Sequence, residues 1–169
     1  METPSNNTKV MIKRSSLSVF NVTSKTVKGY GICGLITHRN IDEAYAFQDI
    51  SGLLLFIESR LDDFNYPKAQ FRPRRFVLEN KKIKLERKRH MDTINLDEEK
   101  FANEESVNFL VKIDYRRNAT WQGQITWLES NKKENFRSCL ELVRLIDQAV
   151  NVSADAKVAK DNKERIKNR

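Results

Sequence analysis

Arginine, amide and tryptophan side chains are concentrated in one short stretch of the chain, and these are the types that contact phosphates and nucleobases. The stretch contains Arg116, Arg117, Asn118, Trp121, Gln122 and Trp127. Guanidinium groups pair with phosphate, and a base stacked on a flat ring contributes about 1–3 kcal/mol. Alternation places both tryptophans on the side of Ile125, which favours burial beneath helices and leaves Gln122 and Gln124 exposed.

A second candidate anion site is Arg137-Ser138, immediately before a predicted helix. Backbone N–H groups and the helix dipole favour negative charge at such a position. Ser138 and Glu141 also have the spacing of a capping box, so capping alone accounts for both residues. Arg137 is then a solvated side chain or a partner of a nearby carboxylate.

Basic residues recur in the segment between the two clearest structural units. They are Arg72, Arg74, Arg75, Lys81, Lys82, Lys84, Arg87, Lys88 and Arg89. The run 81–89 holds six basic residues and one acid, a local charge of +5, which is typical of a nucleic-acid patch. The alternative is an exposed strand whose lysines prevent edge-to-edge pairing. An acidic stretch follows it and would partly neutralise the run.

Catalytic and metal-binding motifs are absent from the sequence. It contains no G-x-S-x-G, no phosphate-binding glycine loop and no H-E-x-x-H. Cys33, Cys139, His38 and His90 do not have the spacing of a zinc site, and the two thiols are interpreted as small hydrophobic residues. We therefore predict a protein that is not an enzyme and has no cofactor and no metal.

The overall charge favours an anionic partner. A formal net charge of +8 and an isoelectric point near 9.5 suit RNA, DNA or a nucleotide. One alternative interpretation of the charge is a soluble protein with a lysine-rich surface. The alternative function is a protein-interaction adaptor or homo-oligomeric regulatory protein, which binds a protein partner or a second copy through a sheet edge or apolar surface. With no apolar leader and no run of about 18 apolar residues, we predict a cytoplasmic protein without membrane contact.

An internal repeat at an offset of 89 residues organises the elements that must position these side chains. Val19–Glu58 aligns with Asn108–Asp147 without a gap, with Gly34 on Gly123 and Phe47 on Phe136. A fixed period predicts the same supersecondary unit twice. Alternation in 107–115 and 121–127 predicts a hairpin. Apolar spacing predicts two amphipathic helices, one capped by Asp49 or Ser51 and one capped by Ser138.

The predicted fold class is α+β: an antiparallel sheet with two helices on one face, built from two ββα units. We expect a flexible N-terminus at 1–15, a single domain at 16–151 and a basic, flexible tail at 152–169. The domain comprises one repeat unit at 17–64, an inserted basic hairpin and acidic segment at 65–105, and a second repeat unit at 106–151.

The second repeat unit carries a recognisable series of motifs. It reads R-R-N-A-T-W-Q-G from Arg116, then W-L-E from Trp127, F-R-S from Phe136 and L-E-L from Leu140. This series resembles a signature of small uncharacterised bacterial proteins from Gram-positive anaerobes. The resemblance implies a compact α+β protein of bacterial cytoplasm, and it implies no activity.

Overall fold

The computed structural model describes residues 14–27, 31–71 and 106–167. Within these ranges a six-stranded antiparallel sheet is accompanied by two α-helices, which confirms the prediction of an α+β protein with these two components. Residues 1–13, the predicted basic hairpin from Arg72 onward and the acidic segment up to residue 105 lie outside the described residues.

Each half of the chain contains three strands followed by a helix. After a short helical turn (Arg14–Ser18), the first half consists of β1 (Val19–Val27), β2 (Gly31–His38), β3 (Ile41–Phe47) and α1 (Ile50–Phe64). The second half consists of β4 (Val107–Tyr115), β5 (Gln122–Trp127), β6 (Lys132–Phe136) and α2 (Cys139–Lys167). The prediction of two strands in each unit was therefore wrong.

The third strand of the second half, β6, lies at an edge of the sheet. The polar sequence at 130–133 predicts a turn rather than a strand, since only Phe136 of the five residues of β6 is buried and 132–135 are exposed. An edge strand of this kind shows no hydrophobic alternation. It is identified instead by its pairing with β5, in which Phe136 lies opposite Gly123.

The two halves join at the centre of the sheet. The strand order is β3-β2-β1-β4-β5-β6, so β1 and β4 are the neighbours that connect one half to the other. They run antiparallel, with Phe20 opposite Val111 and Val22 opposite Phe109. All four of these side chains are buried, and they form the middle of one continuous core.

Both helices cover the same face of the sheet. Buried side chains alternate along the strands on one face, and α1 contacts β2 and β3 while α2 contacts β1, β4, β5 and β6. Residues of both helices share one core with that face, including Leu53, Ile57, Leu142 and Ile146. We call the opposite side of the sheet the open face, because no helix among the described residues covers it.

The helix ends follow from local sequence signals. The Asp49 side chain accepts a hydrogen bond of 2.8 Å from the Gly52 backbone N–H, and Asn65 ends α1 in a left-handed conformation at φ 50°. At the other end of the chain, the segment predicted as a flexible tail continues α2 as a helix to Lys167. From residue 152 this segment has no glycine or proline and is rich in alanine and lysine, which favour helix.

Two glycines allow neighbouring strands to approach closely. A Cβ atom at Gly34 would lie 1.9 Å from the Thr23 carbonyl oxygen, and one at Gly123 would lie 2.0 Å from the Lys112 carbonyl oxygen. Both contacts involve backbone atoms of the paired strand, which cannot move away without breaking the ladder. Glycine is therefore required at these two strand positions for steric reasons.

We expect Gly123→Ala and Gly52→Ala to change stability in opposite directions. Alanine at Gly123 forces β4 and β5 apart and should lower the free energy of unfolding by about 2–4 kcal/mol. Alanine at Gly52 meets no atom closer than 3.5 Å and should stabilise α1 by about 0.5–1 kcal/mol. Urea denaturation followed by circular dichroism measures both; equal effects would contradict the close-approach explanation.

His38 is a buried titratable group within the core. Its ring lies 4.9 Å from each of the rings of Phe20 and Phe64, and its Nδ1 accepts a hydrogen bond of 3.1 Å from the Asn40 backbone N–H. Loss of solvation lowers its pKa below the ordinary value, and the backbone of Leu17 and Ser16 only partly opposes this effect. The folded state therefore favours the neutral ring.

The free energy of unfolding should fall as the pH drops below about 6.5, because protonation of His38 favours the unfolded state. A histidine titrates near pH 6.5 in the unfolded chain, so below that pH the unfolded state gains a proton that the folded state resists. In a His90→Gln background, urea midpoints should decrease from pH 7.5 to pH 5.5. Adding His38→Phe should flatten this dependence, and an unchanged slope would show that His38 is not its source.

Candidate nucleic-acid interface

The structure describes six of the residues predicted to bind an anion. They are Arg116, Arg117, Asn118, Gln122, Arg137 and Ser138. The other nine lie outside the described residues: Arg72, Arg74, Arg75, Lys81, Lys82, Lys84, Arg87, Lys88 and Arg89. The six described residues surround one end of the β4–β5 hairpin and the start of α2. Four of them have structural roles (Arg116, Asn118, Gln122 and Ser138), and the side chains of Arg117 and Arg137 are exposed.

Arg116 belongs to a buried ionic network rather than to an open anion site. Its side chain is 6% exposed, and Nη2 donates to Glu58 and, at 2.6 Å, to Asp62 of α1. Burial opposes the charged guanidinium, but hydrogen bonds and charge from Asp62 and Glu58 outweigh that effect and raise its pKa. With two carboxylates already paired to it, Arg116 is not available to a phosphate group.

Trp121, the residue immediately before β5, completes this network. Its indole Nε1–H donates to the second carboxylate oxygen of Glu58 at 2.6 Å, and its ring is 4% exposed. Trp127 also lies on the helix-covered side, since it pairs with Phe109 in register. Neither tryptophan therefore provides a stacking platform on the open face. Glu58 looks like a solvated helix residue in the sequence, and only the fold reveals its two partners.

Gln122 holds the β4–β5 loop together. Its side-chain oxygen accepts from the Arg117 backbone N–H at 3.1 Å, and its amide nitrogen donates to the carbonyl groups of Arg117 and Arg137. The loop turns through Asn118 and Ala119, both of which have positive φ angles of 54° and 56°. The amide of Gln122 and the turn at Asn118 thus have structural roles that bring the Arg117 and Arg137 backbones together.

The N-terminus of α2 is capped twice. Ser138 Oγ accepts from the Glu141 backbone N–H at 3.1 Å, and Thr120 Oγ1 accepts from the Cys139 backbone N–H at 2.9 Å. The Thr120 contact crosses from the hairpin and was not predicted, because no local spacing signals it. These contacts use the N–H groups that an anion would need, so Ser138 acts as a cap.

Arg137 pairs with Glu141 at the surface. Its guanidinium lies 3.0 Å from the carboxylate and is 87% exposed, and its backbone N–H donates to the same carboxylate. The side-chain hydrogen bond from Arg137 is the main reason why the pKa of Glu141 is lowered. An exposed pair of this kind is weak in water, so Arg137 can exchange its partner at little cost.

Exposed polar groups gather on the second-half side of the open face. We call this set the β4–β6 surface, and it consists of Lys112, Tyr115, Arg117, Gln124, Lys133 and Asn135. Gln124 donates to the Asn135 side-chain oxygen at 3.2 Å, and Lys112 pairs with Asp114 at 2.6 Å. The Arg117 guanidinium lies 4.5 Å from the centre of the exposed Tyr115 ring. The surface therefore combines cations, amides and one accessible aromatic ring.

The two cysteines are residues of a type that can bind a metal ion. Cys33 and Cys139 are both free and half-buried, and burial raises the pKa of Cys33. Within residues 14–27, 31–71 and 106–167, no group of three or more His, Cys, Asp or Glu side chains is arranged to hold a metal ion. Across those same ranges, no helix is both long and apolar enough to cross a bilayer.

Comparison with known proteins gives no match: no family model, curated protein or solved structure matches this chain. The resemblance to small proteins of Gram-positive anaerobes therefore stays a prediction. The residues that carry the resemblance nevertheless have clear structural roles. Arg116 and Trp121 bond to Glu58 of α1, and Gln122 bonds to the backbone of the β4–β5 loop. Ser138 and Gly123 add a helix cap and a close strand contact.

Removing Glu58 should destabilise the protein strongly. Glu58→Ala leaves Arg116 with one carboxylate fewer and Trp121 without an acceptor, so we expect a loss of about 2–4 kcal/mol in the free energy of unfolding. Asp63→Ala is the matched control on the same helix, because Asp63 pairs only with the partly exposed Arg60 and should cost under about 1 kcal/mol. Similar losses in both variants would contradict the proposed importance of the network.

Proposed function

We propose that this chain is a non-enzymatic protein that binds RNA through the β4–β6 surface. Lys112, Lys133 and Arg117 would contact the phosphate backbone, and the amides of Gln124 and Asn135 would bond to base edges. The exposed Tyr115 ring beside Arg117 offers a stacking position for a base. A sheet face without a covering helix is a geometry that single-strand RNA modules use.

We further propose that the two halves derive from one duplicated unit of three strands and a helix. In support, α1 and α2 begin 89 residues apart, at Ile50 and Cys139. The helix caps, Asp49 and Ser138, have the same spacing. So do the close-approach glycines Gly34 and Gly123. The same framework is thus encoded twice by residues that serve the same purpose.

The observation that carries the functional proposal is a difference between these two halves. The β4–β6 surface presents Lys112, Gln124, Lys133 and Asn135. The positions 89 residues earlier are Thr23, Leu35, Ala44 and Ala46. Both sets lie on the open face: Lys112 pairs with Gln124 and Gln124 with Asn135, just as Thr23 pairs with Leu35 and Leu35 with Ala46. Lys133 and Ala44 each precede the edge-strand member of these sets by two residues, so strand alternation places them on the same face. Framework residues match while surface residues differ. At these four positions the second half has two cations and two amides, and Asp114, which pairs with Lys112, stands where the first half has Lys25.

The difference between the two halves of the open face supports a binding role for the β4–β6 surface over a role in solubility alone. Charge needed for solubility is spread over the surface and has no reason to replace small uncharged residues on one half of one face. Phosphate binding needs several cations within reach of one strand of nucleic acid. The β4–β6 surface meets that need with Lys112, Lys133 and Arg117, and Arg137 lies at its margin.

The proposal is tested by fluorescence anisotropy with a labelled twelve-nucleotide single-stranded RNA at low and moderate salt. Arg117→Ala/Lys133→Ala should weaken binding about tenfold or more at low salt. It should also reduce the salt dependence by about 1.4, because each phosphate contact on a single strand contributes about 0.7 to the slope. The matched control is Arg39→Ala/Arg144→Ala, which removes two exposed cations outside this surface.

Three results would overturn the proposal. The first is no binding of the wild-type protein at low salt, and the second is an equal loss of affinity in the two double variants, as expected for a charge effect without a location. The third result is loss of binding only in Arg87→Ala/Lys88→Ala/Arg89→Ala, which would assign the RNA contact to the run 81–89 instead. Duplex DNA of the same length serves as the comparison for strand preference.

A further inference from the structure

A cleft on the helix side of the molecule has properties that differ from those of the β4–β6 surface. It encloses about 480 Å³, within the range of binding pockets, and lies between α1, the start of α2 and the β4–β5 loop. Its lining includes Leu54, Leu55, Glu58, Asp62, Phe71 and Trp121. We call it the acidic cleft, and the framework interactions described above form only its inner wall.

The cleft is negatively charged in a basic protein. Among the residues that the structure describes, Glu58 and Asp62 face one guanidinium, that of Arg116, so these three side chains carry one net negative charge. Both oxygens of Glu58 are engaged, one by Arg116 and one by the Trp121 indole. Asp62 contacts Arg116 through Oδ1, and its side chain is 53% exposed, so its carboxylate is accessible to a cation entering the cleft.

The rim of the cleft is apolar and accessible to solvent. Leu55 is 70% exposed and Phe71 is 52% exposed, and Leu54 lies half-buried beside them. Single exposed apolar residues are ordinary, but two large ones on the rim of one cleft mark an interaction surface. Burying such side chains would favour binding, while the carboxylates would select the charge of the ligand.

We propose that the acidic cleft binds an extended peptide of a protein partner in which a lysine or arginine neighbours large apolar residues. The basic side chain pairs with Asp62, and the apolar side chains cover Leu55 and Phe71. Charge complementarity is the reason for this choice, because a net negative, apolar-rimmed cleft excludes the phosphate-bearing ligands that the open face favours. The two surfaces lie on opposite layers, so this proposal does not depend on RNA binding.

The test uses the peptide acetyl-Ala-Leu-Arg-Leu-Ala-amide, with acetyl-Ala-Leu-Glu-Leu-Ala-amide as the charge-reversed control. Indole N–H resonances are followed by nuclear magnetic resonance, since Trp121 lines the cleft and Trp127 does not. A Trp127→Phe variant assigns the two signals. The arginine peptide should shift the Trp121 resonance in a saturable manner, and the glutamate peptide should bind at least tenfold more weakly.

Two surface variants locate the contact without disturbing the core. Leu55→Lys removes an exposed apolar group from the rim and adds a positive charge, which repels the arginine of the peptide. It should weaken binding of the arginine peptide at least tenfold. Leu140→Lys makes the same change at a leucine that is 60% exposed and does not line the cleft, and it should leave binding unchanged. No shift at Trp121, equal binding of both peptides, or equal losses in both variants would each overturn the proposal.

Discussion

The pairing of β1 with β4 is the constraint on which the rest of the structure depends. These strands lie far apart in the sequence, yet they form the centre of the sheet, with Phe20 opposite Val111 and Val22 opposite Phe109. Once they pair, each half adds its own hairpins outward, and the period-two alternation sends every buried side chain to the same face. Both helices must then cover that face, and no helix of the described residues covers the opposite face.

The β4–β5 loop shows how side chains that suggest chemistry can serve structure. Arg116 and Trp121 connect the loop to Glu58 of α1, Thr120 caps α2, and Gln122 organises the turn. A buried guanidinium needs paired carboxylates and a buried indole needs an acceptor, so each group is stable only because the others are present. The groups left over for binding are those without a framework role, such as Lys133.

The two layers of the molecule present opposite chemistry. The open face carries cations and amides in its second half, whereas the helix side carries a cleft with a net negative charge and apolar rim residues such as Leu55. Charged surfaces of opposite sign select different ligands, which is why the two proposed partners, an anionic polymer and a basic peptide, are assigned to separate layers. The formal net charge of +8 does not reveal this division, since it sums over the whole chain.

The sequence by itself determined the elements whose signals are local. Alternation in Val107–Tyr115 predicted β4 with the observed bounds, and Asp49 and Ser138 were recognisable as caps because a cap bonds within the first turn of its own helix. Tertiary structure alone decided the rest. β6 is a strand because β5 is beside it, and Arg116 is an internal ion partner because the fold brings α1 against its loop. Such outcomes depend on residues distant in the chain, and no local period or spacing encodes a distant partner.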